Sequence, residues 1–112
     1  MAQELTGITE SCEAFLQSIV QERYYDAHED LEPIWYPRRF EDNDEVRLWK
    51  GFINAAVSFE LLKRGRPNPA EVAWSTYLKY HPLLERIVTP HKELYVKMDT
   101  LIQNRRRLCL NL

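Results

Sequence analysis

Twelve residues, Tyr24 to Trp35, read Y-Y-D-A-H-E-D-L-E-P-I-W and hold one imidazole, four carboxylates and three large aromatic rings. On a helix, His28 and Glu32 stand one turn apart on the same side, with Glu29 beside His28. This spacing suits three kinds of chemistry. A divalent metal could take His28 and Glu32 as ligands while Glu29 serves as general base. That is the logic of an H-E-x-x-H helix with a carboxylate replacing the second histidine, and it would make a metal-dependent hydrolase. A pocket for a small molecule or peptide could form where these polar groups meet aromatic walls from Tyr25, Trp35 and Trp49. The third possibility is a structural polar knot. Tyr24, His28, Leu31 and Trp35 share one helix face, so His28 sits among core-facing residues and needs partners for both ring nitrogens. Asn54, Ser58 and the tyrosine hydroxyls are the expected partners across a helix interface.

The balance among these follows from counting ligands. A metal centre needs three or four, and the spacing supplies two. Di-iron bundles carry Glu-x-x-His on two helices plus further glutamates; this chain offers one such element in reverse order, and Glu60 is the only further carboxylate within the apolar run of the third helix. His81 and His91 fall at helix junctions, from which they could approach. A structural network needs no further ligand, and leaving one buried member unpaired would cost about 1–3 kcal/mol. The reading that results is a binding or structural cluster of His28, Glu29, Glu32, Trp35 and Asn54, with the metal hydrolase as its alternative. Other catalytic constellations are missing from the sequence: there is no G-x-S-x-G turn, no glycine-rich phosphate loop, and neither cysteine neighbours a histidine.

The elements that must position this cluster are helices. Only three glycines occur, and no alternating apolar run lies between hairpin turns. The first helix is expected over Ile8 to Glu22, capped by Thr9, with Cys12, Phe15, Leu16, Ile19 and Val20 as its apolar stripe. The second holds the cluster. Asp26 and Glu29 have capping-box spacing, and Pro33 predicts a kink or an early stop because it lacks the N–H that would reach the Glu29 carbonyl. Asp42 and Glu45 repeat that spacing before a third helix, Asp44 to Lys63, apolar around most of its circumference and so central. Its small stripe, Gly51, Asn54 and Ser58, lets a neighbour approach closely, and Gly65 ends it. Asn68-Pro69 starts a fourth helix with Ala73, Trp74, Tyr77 and Leu78 inward. A short turn follows through Leu83, Leu84 and Ile87. Thr89-Pro90 opens a fifth helix, His91 to Arg107, with Leu94, Met98, Leu101 and Ile102 inward. The expectation is an all-α, compact bundle of four to five helices without a sheet, forming a single domain over residues 1–112.

The bulk numbers fit such a bundle. The chain has 112 residues, 45% hydrophobic, with a net charge of -2. That balance gives no electrostatic reason to expect nucleic acid or an anionic membrane as partner. Arg105-Arg106-Arg107 suits a helix C-terminus instead, and Arg38-Arg39 is expected to pair with Glu41 and Asp42. Met1 to Glu4 is acidic and without an apolar run, so no signal peptide is expected. No stretch is long enough to span a bilayer. The expected setting is cytoplasmic, with Cys12 and Cys109 as free thiols rather than a disulfide between the ends. The expected partner is a small molecule or a protein, with the oligomeric state unspecified.

The order of the pieces also resembles a known family. An aromatic pair, Tyr24-Tyr25, precedes Ala27, His28, Glu29, Leu31, Glu32 and Trp35; then come Gly51, Ile53, Asn54 and Ala56, and an Arg64-Gly65 turn. This pattern, over roughly Phe15 to Leu78, is similar to the bacterial and archaeal family catalogued as domain of unknown function 309. The resemblance implies a small all-α bundle and no particular activity. The chain departs from the pattern at Pro33, where a helix former is usual, and at Asn54, where the family pattern has Gln.

Overall fold

The helical reading holds. The computed structural model describes residues 2–110, with side chains from Gly7 onward. It contains helices α1 (Ala2–Val20), α2 (Tyr24–Trp35), α3 (Asp44–Lys63), α4 (Pro67–Tyr80), the four-residue α5 (Leu83–Arg86) and α6 (Lys92–Leu110), and a 3₁₀ turn (Tyr36–Arg38) follows α2. Among the described residues there is no strand.

α3 is the hub because its sequence leaves it almost no polar face. Val46, Leu48, Trp49, Phe52, Ile53, Ala55, Ala56 and Phe59 are all buried. α2, α4 and α6 pack directly on it, and α1, packed on α2 and α6, reaches it through Phe15. Phe52 alone meets rings from three of them: Phe15 of α1 at 6.1 Å, Tyr77 of α4 at 6.0 Å and Tyr95 of α6 at 6.0 Å between centroids. Phe59 meets Tyr24 of α2 at 5.4 Å and Trp74 of α4 at 6.0 Å. Offset and tilted ring pairs of this kind add to simple area burial. Gly51 performs the role its size suggests. A methyl group there would lie 3.2 Å from the Tyr80 Cβ and 3.7 Å from the Tyr77 ring, so α4 crosses α3 at close range.

Several helix ends differ from the sequence reading. α1 begins at Ala2, so Thr9 is an interior residue and not a cap. It ends with Glu22 in the left-handed region at φ 60°, where the Arg23 N–H donates to the Ser18 carbonyl at 2.8 Å and the Glu22 N–H to that of Ile19 at 3.0 Å. This is a Schellman ending built without glycine. α2 starts at Tyr24, so Asp26 does not cap it; its carboxylate pairs with Arg23 at 3.5 Å. Pro33 does not stop α2, which runs on to Trp35. The cap of α3 is Asn43, one residue beyond Asp42, with its side-chain oxygen accepting from the Glu45 N–H at 2.8 Å and the Val46 N–H at 3.3 Å. α4 begins at Pro67, which places both Pro67 and Pro69 in the first turn, where their missing N–H groups have no intrahelical acceptor to lose. Gly65, at φ 73°, closes α3 as the sequence predicts, and the Arg66 N–H reaches the Leu61 carbonyl at 2.8 Å. Thr89 Oγ1 accepts from the His91 N–H at 3.2 Å at the head of α6. α6 extends three residues past the expected Arg107, and residues 111 and 112 lie outside the described ones.

Candidate functional site

α2 buries Tyr24, Ala27 and Leu31, and this sets the phase of every other side chain on it. His28 falls at the margin of the buried face and keeps about a fifth of its side chain in solvent. Its Nε2 lies 2.9 Å from Glu32 Oε1, its Nδ1 lies 2.7 Å from the Tyr25 carbonyl oxygen, and the Tyr25 ring stands edge-on at 5.0 Å. Both ring nitrogens are therefore occupied inside one helix. The expected links from His28 to α3 are not formed. Asn54 Nδ2 donates to the carbonyl of Lys50 at 2.9 Å, and Ser58 Oγ to that of Ala55 at 2.6 Å, each within α3. Polar side chains on a helix find their own preceding turn more readily than a neighbouring helix, and these two do so.

Glu29 is exposed, beside Asp26 and Asp30 on a shallow depression between α1 and α2. Trp35 is half-buried against the core and meets Tyr36 edge-on at 6.4 Å. Glu60 pairs with Arg64 at 2.6 Å. His81 and His91 belong to the α4–α6 side, where His81 Nδ1 is 3.7 Å from Asp99 Oδ1 and the His91 ring is 6.2 Å from that of Tyr95. Among the described residues, no three His, Cys, Asp or Glu side chains are placed to hold one metal ion. His28 and Glu32 thus form a pair without a third ligand.

Three polar contacts that the sequence reading did not find tie the helices together. The buried Ser18 Oγ of α1 donates to Asp30 Oδ2 of α2 at 2.7 Å. On α6 the Tyr95 hydroxyl accepts from Trp49 Nε1 at 2.8 Å and donates to Glu45, while Thr89 Oγ1 donates to the same Glu45 oxygen at 2.9 Å. Burial, followed by the Glu45 contact, pushes the Tyr95 phenol well above its ordinary range. Burial, with the Glu45 and Glu13 carboxylates adding to it, likewise pushes the Cys12 thiol up to about 12. The third contact joins α4 to α6. The Tyr77 hydroxyl donates to Asp99, and the His81 ring stacks on the Tyr77 ring at 5.4 Å. Burial first, then Asp99, raises the Tyr77 phenol above its ordinary range. The two cysteines are free thiols.

The basic runs divide by function as well. Arg106 pairs with Glu71 at 2.7 Å and lies over the Trp74 ring at 4.6 Å, and Arg107 donates to Asn104, so the end of α6 is built into the fold. Arg38 pairs with Glu41 at 3.0 Å as expected. Among the described residues, Arg39 does not pair with an acid. Its guanidinium lies over the Tyr36 ring at 3.6 Å and the Phe40 ring at 4.5 Å, and Asp42 is taken by Arg47.

A concave surface lies beside that loop. A groove of about 790 Å³ opens between the start of α1, the end of α2 with its 3₁₀ turn, and α3. Ile8, Pro33, Ile34 and Pro37 form apolar walls, and the fully buried Trp49 indole lies beneath them. Arg38 lays its guanidinium over that indole, 5.2 Å from the ring centroid. The Tyr95–Glu45 relay holds the other side of the indole through its N–H, so the floor of the groove is fixed in orientation.

A family described as domain of unknown function (DUF309) matches residues 12–72, more than half of the chain. The chain belongs to this family. No curated protein and no solved structure matches it. The part shared with the DUF309 family takes in the second half of α1, all of α2 and α3, and the first turns of α4. It contains the His28–Glu32 pair, Ser18 with Asp30, and Trp49 with Arg38, whereas Tyr95 and Asp99 lie beyond it. Among the described residues no helix is long and apolar enough to cross a membrane.

Proposed function

We propose that the chain is a non-catalytic binding module whose ligand face is the groove over Trp49, and that the His28–Glu32 pair braces the helix that walls this face. The observation that carries the reading is the contrast between closed and open polar groups. His28 spends both nitrogens on its own helix, and Glu29 stands apart on the α1–α2 side. A hydrolytic centre needs an acid or base within reach of a bound substrate. The groove, by contrast, offers apolar walls, a fixed aromatic floor and a charged rim, the usual composition of a recognition site.

The brace has a physical basis in Pro33. Its missing N–H leaves the Glu29 carbonyl without its helical donor and crowds that turn. The His28–Glu32 pair spans the turn containing this defect, and the Tyr36 N–H picks up the Glu32 carbonyl beyond it. α2 can then continue through Ile34 and lead into the 3₁₀ turn that carries Pro37, so that both reach the groove wall. The metal hydrolase has no comparable support, because the pair lacks a third ligand.

Titration of the ¹⁵N-labelled chain with small aromatic fragments such as indole and phenol tests this reading. The Trp49 indole N–H signal is expected to move in the unaltered chain and in His28→Ala, and to stay fixed in Ile8→Trp, which fills the groove. Stoichiometric zinc or manganese binding that disappears in His28→Ala would overturn it in favour of a metal centre.

A further inference from the structure

The net charge of -2 conceals a separation in space. α1, α3 and α6 run toward one end of the bundle, and α2 and α4 start from it. Lys63 Nζ at the end of α3 donates to the Glu22 carbonyl between α1 and α2 at 3.4 Å, Arg106 of α6 meets Glu71 of α4 at 2.7 Å, and Arg105 faces the Tyr24 phenol. This end gathers Arg23, Lys63, Arg64, Arg66 and the run Arg105 to Arg107, seven of the chain's fifteen lysines and arginines. Against them stand Glu22, Asp26, Glu60 and Glu71, four of its seventeen carboxylates, so this end carries +3 and the rest of the chain -5. Three helix C-termini and two N-termini meet here. At about half a charge each, opposite in sign, their dipoles leave only about -0.5 to be neutralised, much less than the excess of side-chain charge.

Arg23 pairs with Asp26, Arg64 with Glu60 and Arg106 with Glu71. Among the described residues the other four cations meet no carboxylate: Arg107 has the neutral amide of Asn104, Lys63 has a backbone carbonyl, and Arg66 and Arg105 have no ion pair. Lys63, Arg66 and Arg107 are exposed. The same end also shows aliphatic side chains that the core does not use. Val20 in the last turn of α1, and Leu108 and Leu110 in the last turn of α6, are each more than half exposed, as is Tyr25 at the start of α2. Single-stranded nucleic acid is held by cations and stacked rings, and aliphatic side chains add nothing to that. A bilayer uses both kinds: anionic headgroups hold Lys and Arg, while Leu, Val and Tyr enter the boundary with the acyl chains. The bundle is 43 Å long, and charges are screened over about 8 Å at physiological salt, so Glu41, Asp42 and Glu93 at the opposite end do not oppose the approach.

We infer that this end of the bundle is a docking surface for an anionic lipid bilayer, on which the chain lies without crossing it. The groove over Trp49 is at the opposite end, facing away from the lipid, and the inference stands whether or not that groove is occupied. Sedimentation with sucrose-loaded vesicles tests it. The full chain should bind vesicles of equal parts phosphatidylcholine and phosphatidylserine roughly a hundredfold more tightly than vesicles of phosphatidylcholine alone, since each of three exposed cations contributes roughly fivefold. High salt should release it. Arg66→Glu and Arg107→Glu, both at exposed positions, should each weaken binding roughly twentyfold, a reversal counting as two charges. Lys79→Glu makes the same change of net charge at the far end of α4 and should leave binding unaltered. Replacing both Leu108 and Leu110 by Ser should weaken it severalfold without changing its salt dependence. A chain that stays in the supernatant at low salt overturns the inference. So does equal weakening by Lys79→Glu, which makes net charge and not this end responsible. Tighter binding to a single-stranded oligouridylate than to the vesicles, unchanged by the two serine substitutions, overturns it in favour of nucleic acid.

Discussion

The two polar clusters of this protein are made differently. His28 and Glu32 meet across one turn of one helix, partly in solvent, and would meet in any helix with that spacing. Tyr95, Trp49, Glu45 and Thr89 meet across α3, α6 and the segment between α5 and α6, at sequence separations of 44 to 50 residues, and the donor and acceptor at its centre are buried. The first cluster is a property of a short sequence. The second exists only when the bundle is assembled, so it is the one that specifies how α6 docks. A residue pattern that looks like chemistry is thus the less consequential of the two, and the groove floor depends on the one with no pattern at all.

The sharpest way to break this comparison is Tyr95→Phe. Deleting one oxygen leaves the Trp49 N–H without its acceptor and Glu45 with Thr89 alone of its two hydroxyl donors, while the ring packing on Phe52 stays. An unsatisfied buried donor costs about 1–3 kcal/mol, and two groups lose a partner here, so the expected loss is about 2–3 kcal/mol. Urea unfolding at neutral pH should show it as a lower midpoint with an unchanged slope. A loss indistinguishable from zero would mean that the relay does not hold α6, and the distinction between the clusters would fall.

Alkaline titration probes the same relay without mutation. The Tyr95 and Tyr77 phenols are raised far above their ordinary value of 10.0 by burial and by the carboxylates they face, and burial takes Tyr24 up to about 12. Cys12 rises from 9.0 to about 12. Each of these groups keeps its proton in the folded state at a pH where the unfolded chain has released it. Their contribution to stability is therefore complete below the ordinary values and is lost as pH rises past them toward the raised values. The expected slope is about 1.4 kcal/mol per pH unit for each group, starting near pH 9 with Cys12 and steepening above 10. Urea midpoints between pH 8 and 11 measure it. Tyr95→Phe and Cys12→Ala should each flatten the decline, whereas His28→Ala should leave its slope unchanged.

What the sequence revealed follows the same division. α3 has the bounds that its apolar run and the Gly65 stop predict, because a helix body and a glycine left-handed cap are local matters. The end of α1 was misplaced because Glu22 adopts the left-handed conformation that normally advertises itself as glycine, and the start of α1 because nothing before Ile8 breaks a helix. The pairing of His28 with Glu32 was legible from i, i+4 spacing, and its assignment to Asn54 and Ser58 was not, since those side chains turn back on their own helix. Tyr95 carried a usable signal. It falls with Met98 and Ile102 on one stripe of α6, all three fully buried, and a tyrosine on such a stripe must find a partner for its hydroxyl. That the partner is Glu45 depends on how two helices far apart in sequence cross, which composition and periodicity do not encode.

The smallest effect concerns α2 itself, where a local and a cross-helix contact can be compared on one element. Ser18→Ala removes the one side-chain donor that Asp30 has among the described residues and leaves that carboxylate half-buried against α1, so it should cost about 1 kcal/mol. His28→Ala removes two contacts, yet both lie within one helix and beside solvent, and exposed i, i+4 pairs are worth about 0.3–0.5 kcal/mol. Two contacts against one would suggest the opposite order. Burial and sequence separation decide it, because the Ser18 bond is lost only with the fold while the His28 pair persists in an isolated helix. Thermal melts of the two variants side by side measure the difference. Ser18→Ala should fall further below the unaltered chain than His28→Ala, and the double variant should show the sum of the two, since the side chains share no partner. If His28→Ala proves the more damaging, the turn around Pro33 depends on its staple more heavily than a surface pair allows, and the cluster on α2 would regain the structural weight now given to the relay.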